Sequence, residues 1–208
     1  MNLLLLGALP LAAALPSVAL SRDWRIIVAS LGLFFIGCSF VEAAFAGPVV
    51  GAARCLAGES VVVALLMAKL ARRGRPRLAS SPQTVSRASA KEDGKAVRAP
   101  FDDVFQFFLL VLSLVAAFAM SQVIPLGWGT SSESALASFF VYWMATAGLL
   151  VVMYSRDPLR VSTGLIVLLS AGNLLHSALA GPSLATLLAS GAVCLIVAAA
   201  VGRLELIR

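Results

Sequence analysis

Four ionisable side chains stand where a chain this apolar can least accommodate them. Glu59 lies near the middle of the apolar run 49–71, about 15 Å from either end if that run is a helix rising 1.5 Å per residue. Ionisable groups inside a membrane are costly and are functional candidates by default. A carboxyl that loses and regains a proton at mid-membrane is what a proton relay needs. The same group can instead serve as hydrogen-bonding glue to a neighbouring helix, and the residues leave both uses open. Glu42 and Arg54 flank the Gly47-Pro48 turn. In an antiparallel hairpin both fall roughly 6–9 Å below one surface, where an ion pair would offset the cost of placing each there. Arg54 and Glu59 are five residues apart, so they point to different helix faces and should not pair directly. His176 is the only histidine; imidazole suits proton transfer near neutral pH, and near a helix end it also serves as a plain interface residue. Asn173, one turn before it, is a polar helix–helix contact candidate.

Other chemistries lack their residues. Cys38, Cys55 and Cys194 fall inside apolar runs without metal-ligand spacing and read as small buried hydrophobes. No nucleophile–base arrangement, phosphate loop or redox motif is present. No metal, no cofactor and no catalytic site of the chain's own are expected.

The elements that must position these residues follow from composition. The chain has 208 residues, 60% hydrophobic and 12% charged, and its mean hydropathy is +0.97. Soluble domains are nearer a quarter charged, so an aqueous single-core enzyme is excluded. Apolar runs predict seven transmembrane helices, at about 2–20, 25–46, 49–71, 104–124, 136–154, 160–180 and 183–203. Ser21-Arg22-Asp23, Gly47-Pro48, Pro125 to Ser134, Ser155-Arg156-Asp157-Pro158 and Gly181-Pro182 break them. The runs are twice a barrel strand's length and do not alternate, so the fold class is all-α, a polytopic membrane protein.

Charge sets the expected orientation. The polar stretch 72–103 carries eight basic and four acidic residues, a net charge of +4. It has neither stacking aromatics nor a recognition helix, so no nucleic acid is expected. Beside membrane spans it reads as a cytoplasmic loop held against anionic lipid. With the N-terminus outside, fifteen of the sixteen basic residues fall on the inner side, Arg54 being the exception. That asymmetry predicts a bacterial-type inner membrane protein with a cytoplasmic C-terminus. Trp24 and Tyr154 fall at the inner interface and Trp128 at the outer. Residues 1–20 lack a basic n-region and are expected to remain as the first span rather than a cleaved signal.

Sliding the chain on itself by 134 residues places Ser21-Arg22-Asp23 on Ser155-Arg156-Asp157 and Ala46-Gly47-Pro48 on Ala180-Gly181-Pro182, with eight identities over 28 positions. The matches cluster at both ends of one helix and in its turns. The implied plan is 3+1+3: a first three-helix repeat over 1–71, the basic loop 72–103, a connector helix 104–124 and a second repeat over 136–208. Three helices plus one connector leave both repeats in the same orientation, the parallel kind of transporter repeat. The repeat puts His176 at the position equivalent to Glu42.

Ala57-Gly58-Glu59-Ser60-Val61-Val62-Val63-Ala64-Leu65-Leu66-Met67 followed by Arg72-Arg73 resembles the third helix of the three-helix K subunit of bacterial complex I. Arg22-Asp23 with its helix, and Arg156 through Leu165, resemble that subunit's second helix. A chain of this length with such a trio twice resembles hydrogenase-4 component E, a membrane subunit of complex-I-like hydrogenases. The resemblance implies a lateral chain of polar groups linking electron transfer to proton or sodium movement, with other membrane subunits as partners. This chain departs from it at Gly32 and Ile166, where the second-helix Glu would fall, and at Val193, the counterpart of Glu59. The expected function is therefore a non-catalytic subunit of a complex-I-like, hydrogenase-like or cation-antiporter-like assembly, contributing helix packing and one proton-relay carboxyl. A stand-alone small-solute transporter with parallel repeats and an orphan membrane scaffold are the alternatives.

The charge pattern has a direct test. Protease added outside intact cells should spare the 72–98 stretch, and protease added to inverted vesicles should cut it. Cleavage from outside would overturn the orientation.

Overall fold

The computed structural model describes residues 3–21, 23–74, 101–127, 131–155, 157–181 and 183–207. Among them are seven helices and no strand: α1 (Leu3–Leu20), α2 (Trp24–Ala46), α3 (Pro48–Gly74), α4 (Phe101–Val123), α5 (Ser131–Tyr154), α6 (Pro158–Ala180) and α7 (Leu184–Ile207). Six, α1 to α6, contain stretches long and apolar enough to cross a membrane, and α7 adds a shorter apolar run, Ala185–Val201. The chain is a multi-pass, all-helical integral membrane protein. In hydrocarbon every backbone polar group must be met within the chain, and a helix does this segment by segment.

The turns follow from particular residues. Asp23 and Asp157 take extended backbone angles, and each accepts a bond from the amide two residues on, Arg25 N at 2.9 Å and Leu159 N at 3.4 Å. Both satisfy a helix N-terminus that lipid would leave unmet. At the other ends of α2 and α6, Gly47 (φ 93°) and Gly181 (φ 86°) hold the left-handed conformation that a side chain disfavours.

Helix α5 starts at Ser131, earlier than the run from 136, because Ser and Glu open helices well and 131–134 supplies them. Its first turns then hold the α4–α5 connection. Leu126 N donates to Ser138 Oγ at 2.7 Å, Ser134 Oγ donates to Leu126 O, and Tyr142 OH donates to Ile124 O at 3.0 Å. Helices α3 and α4 reach into both ends of the expected basic loop. Residues 75–100, with most of that loop, lie outside the described residues, as do Arg22, Trp128 and Arg156.

Helix α1 packs on α2 and α2 on α3, while α5 packs on α6 and α6 on α7. Across the seam α1 meets α5, α2 meets α6 and α3 meets α7, and α4 lies against α5 and α1. Lipid tails are as apolar as leucine, so close packing rather than hydrophobic burial holds helices together. Glycine allows close approach: a Cβ on Gly7 of α1 would fall 2.8 Å from Gly37 O of α2. Helix α2 is the most enclosed, 67% of its apolar window being buried against 22% for α4. Leu31, Phe34, Met144 and Ile166 fill the centre.

Two polar contacts fix the relative direction of α2 and α6. Arg160 Nε, at the start of α6, donates to Ser21 O just before α2 at 3.1 Å. Near their far ends Asn173 Nδ2 of α6 donates to Glu42 Oε1 of α2 at 3.2 Å. The two helices therefore run parallel. The described basic residues Arg25, Lys69, Arg160 and Arg203 gather at one end of the bundle, and Gly47 and Gly181 mark the other. Tyr154 stacks edge-on against Phe105 at the basic end, ring centroids 5.7 Å apart.

Candidate functional site

The α2–α3 hairpin places Glu42 and Arg54 opposite each other. The single-residue turn at Gly47 makes α3 antiparallel to α2, and the pairs Glu42/Arg54, Phe35/Gly58 and Gly32/Glu59 face one another in turn. Arg54 Nε lies 4.0 Å from Glu42 Oε1, with the two residues 4% and 3% exposed. At that separation they form an ion pair but no direct hydrogen bond. Asn173, also buried, completes the cluster by bonding the same oxygen from α6. Three helices thus meet at one carboxylate.

Around this core the surroundings are apolar and soft. Cys38, one turn before Glu42 on α2, is fully buried and donates its thiol to Met144 Sδ of α5 at 3.8 Å. The Arg54 guanidinium carbon is 5.9 Å from the Phe35 ring centroid, within range of a cation–π contact. Glu42 Oε2, Arg54 Nε and Arg54 Nη2 are buried, and no described protein group bonds them.

Glu59 occupies a separate niche on α3. It is half-buried, its Oε1 is sealed from solvent, and no described group bonds that atom. Gly32 of α2 stands opposite; a Cβ there would lie 3.8 Å from both carboxyl oxygens. That is ordinary van der Waals distance, so the carboxyl lies against this face of α2. Arg54 turns to Glu42 and not to Glu59, as their five-residue spacing requires.

His176 is exposed on α6 and makes no hydrogen bond or ion pair with any described residue. The structure therefore does not bring it to Glu59 or into the Glu42 cluster. No group of three or more His, Cys, Asp or Glu among the described residues is placed to hold a metal ion. A crevice between α1, α4, α5 and α6, lined by Gln106, Tyr154 and Arg160 among others, lies at the basic end, away from Glu42 and Arg54.

Two members of the site carried weak sequence signals. Asn173 stood out as a helix–helix contact, yet nothing along the chain named Glu42 as its partner. Phe35 was one apolar residue among many, and only its seating on Gly58 singles it out. Comparison of the chain with protein-family models, with curated proteins and with solved structures finds no match. The likeness around Glu59 therefore remains one of local residues.

Asn173→Leu removes the donor that α6 brings to Glu42. It should destabilise the protein by about 1–2 kcal/mol, the range of interhelical hydrogen bonds in membrane peptides, in an unfolding titration in mixed micelles. His176→Ala should leave the same titration within about 0.5 kcal/mol of wild type, as for an exposed substitution.

Proposed function

We propose that this chain is a non-catalytic membrane subunit of a complex-I-like, hydrogenase-like or cation-antiporter-like assembly. In this reading Glu59 supplies one proton-accessible carboxyl at a subunit interface, and the other helices supply packing. The observation that carries it is the Glu59 niche: a half-buried carboxyl whose Oε1 has no described partner within its own chain. An ionisable group in hydrocarbon is retained for a pathway or is met by a neighbour, and a subunit interface provides both. The likeness of Ala57–Met67 to the third helix of the K subunit supports the same assignment.

The 3+1+3 parallel repeat belongs to this reading. The paired caps at Asp23 and Asp157 and at Gly47 and Gly181 support it. So do the parallel course of α2 and α6 and the meeting of α1 with α5, α2 with α6 and α3 with α7. Helix α4, the connector, turns Phe105, Phe107, Phe108 and Phe118 outward, a surface suited to lipid or to a partner subunit. The basic end faces the cytoplasm of a bacterial-type inner membrane, with 72–103 against anionic lipid and the N-terminus outside.

Weighing the intact particle after purification in mild detergent tests the assignment. Co-purification with multi-span partner subunits is expected; a lone monomer or dimer that moves a solute in liposomes would overturn it. Within the assembly, Glu59→Gln should lower coupled proton movement by roughly 100-fold, the low end of what a positioned acid–base group contributes, while particle mass stays the same. Full pumping by that variant removes Glu59 from the mechanism.

A further inference from the structure

A single aromatic ring separates the two groups of intramembrane ionisable residues. Along the facing surfaces of α2 and α3, the Glu59 carboxyl stands opposite Gly32. Three residues further along α2 comes Phe35, 2% exposed. Its ring is seated on Gly58 so closely that a Cβ on that glycine would fall 2.2 Å from Phe35 Cγ. The same ring lies 5.9 Å from the Arg54 guanidinium carbon, and beyond Arg54 comes Glu42. The order along the interface is therefore Glu59, Phe35, Arg54, Glu42.

The two sides of the ring differ in what they offer to water. On the far side Glu42 Oε2, Arg54 Nε and Arg54 Nη2 are buried without a described protein partner, and Asn173 adds an amide. A buried water needs two to four polar partners, and orphaned buried groups are where such waters sit. On the near side Glu59 Oε1 is likewise unmatched. Between them the Phe35 ring offers water no hydrogen bond, so it interrupts any chain from one niche to the other.

We propose that the Glu42–Arg54–Asn173 cluster binds internal water as a second proton-holding site, with Phe35 as the apolar partition between that site and Glu59. This rests on the reading of Glu59 as a proton-accessible carboxyl. The groups facing Glu42 are Arg54 from α3, Asn173 from α6 and the Cys38 thiol on its own helix, one turn away. Displacement of the ring joins the two waters. A proton leaving the Glu59 carboxyl then passes along water to the Glu42 carboxylate, leaving Glu59 anionic and Glu42 neutral, with no other reactant consumed. Gly58 makes the partition tight, because the ring lies directly on the α3 backbone.

Infrared spectroscopy of the full-length chain in liposomes, transferred from H₂O to D₂O, tests this. The Glu59 band is identified by subtracting the spectrum of Glu59→Gln, recorded at a pH where the carboxyl is protonated. Phe35→Ala should raise the Glu59 exchange rate at least ten-fold, Phe35→Leu should keep it within two-fold of wild type, and Phe35→Ala with Glu42→Gln should reverse the gain. In the unsubstituted protein a buried-water O–H band should be present and should vanish in the Glu42→Met/Arg54→Met variant, which removes the polar groups that hold it. An unchanged rate in folded Phe35→Ala, or no such water band in wild type, overturns the proposal. The readout needs no partner subunit, so its failure is distinct from that of the subunit assignment, which coupled transport decides.

Discussion

Hydrocarbon offers no water to complete a charge, and the structure is organised around how Glu42 and Arg54 are completed instead. An unpaired ion in such surroundings costs several kcal/mol even after relaxation. The hairpin at Gly47 brings the two within 4.0 Å, and Asn173 reaches across from α6 to share the load on Glu42 Oε1. That one carboxylate ties α2, α3 and α6. A second tie, from Arg160 to the carbonyls of Ser21 and Ala19, fixes the opposite ends. With both ends tied, α6 can slide neither along α2 nor reverse against it, and the helices packed on each are carried into place.

The seven helices were legible because lipid makes the signal strong: long apolar runs, broken by residues with their own turn chemistry. Asp23, Asp157, Gly47 and Gly181 stand where their backbone preferences place them. The start of α5 was hidden because a stretch rich in Gly and Ser reads as a turn, while its Ser and Glu also open a helix. Spacing along one helix correctly kept Arg54 from Glu59. It was silent on Asn173 and Glu42, which lie 131 residues apart in sequence, since helical periodicity speaks only of neighbours on the same helix.

His176 lies 134 residues after Glu42, the offset at which the two turn motifs match, but the residue 134 after Arg54 is Leu188, 63% exposed. With an apolar side chain there, no described residue offers His176 a hydrogen bond or a charge partner, and it is exposed. At the same offset from Glu59 stands Val193, also without an ionisable group. The ionisable groups of the membrane interior are thus concentrated in α2 and α3. The later helices contribute packing, the Asn173 amide and the Arg160 tie.

A double-mutant cycle tests most directly whether the fold depends on the Glu42–Arg54 pair. Glu42→Met, Arg54→Met and the double substitution would be unfolded in mixed micelles. Each single change should cost about 3–5 kcal/mol, because it strands a buried charge. The double change should cost less than the sum by about 2 kcal/mol or more, as for residues in contact. Losses that add to within about 0.5 kcal/mol, as independent sites do, would show that the pair is not coupled and would contradict the account.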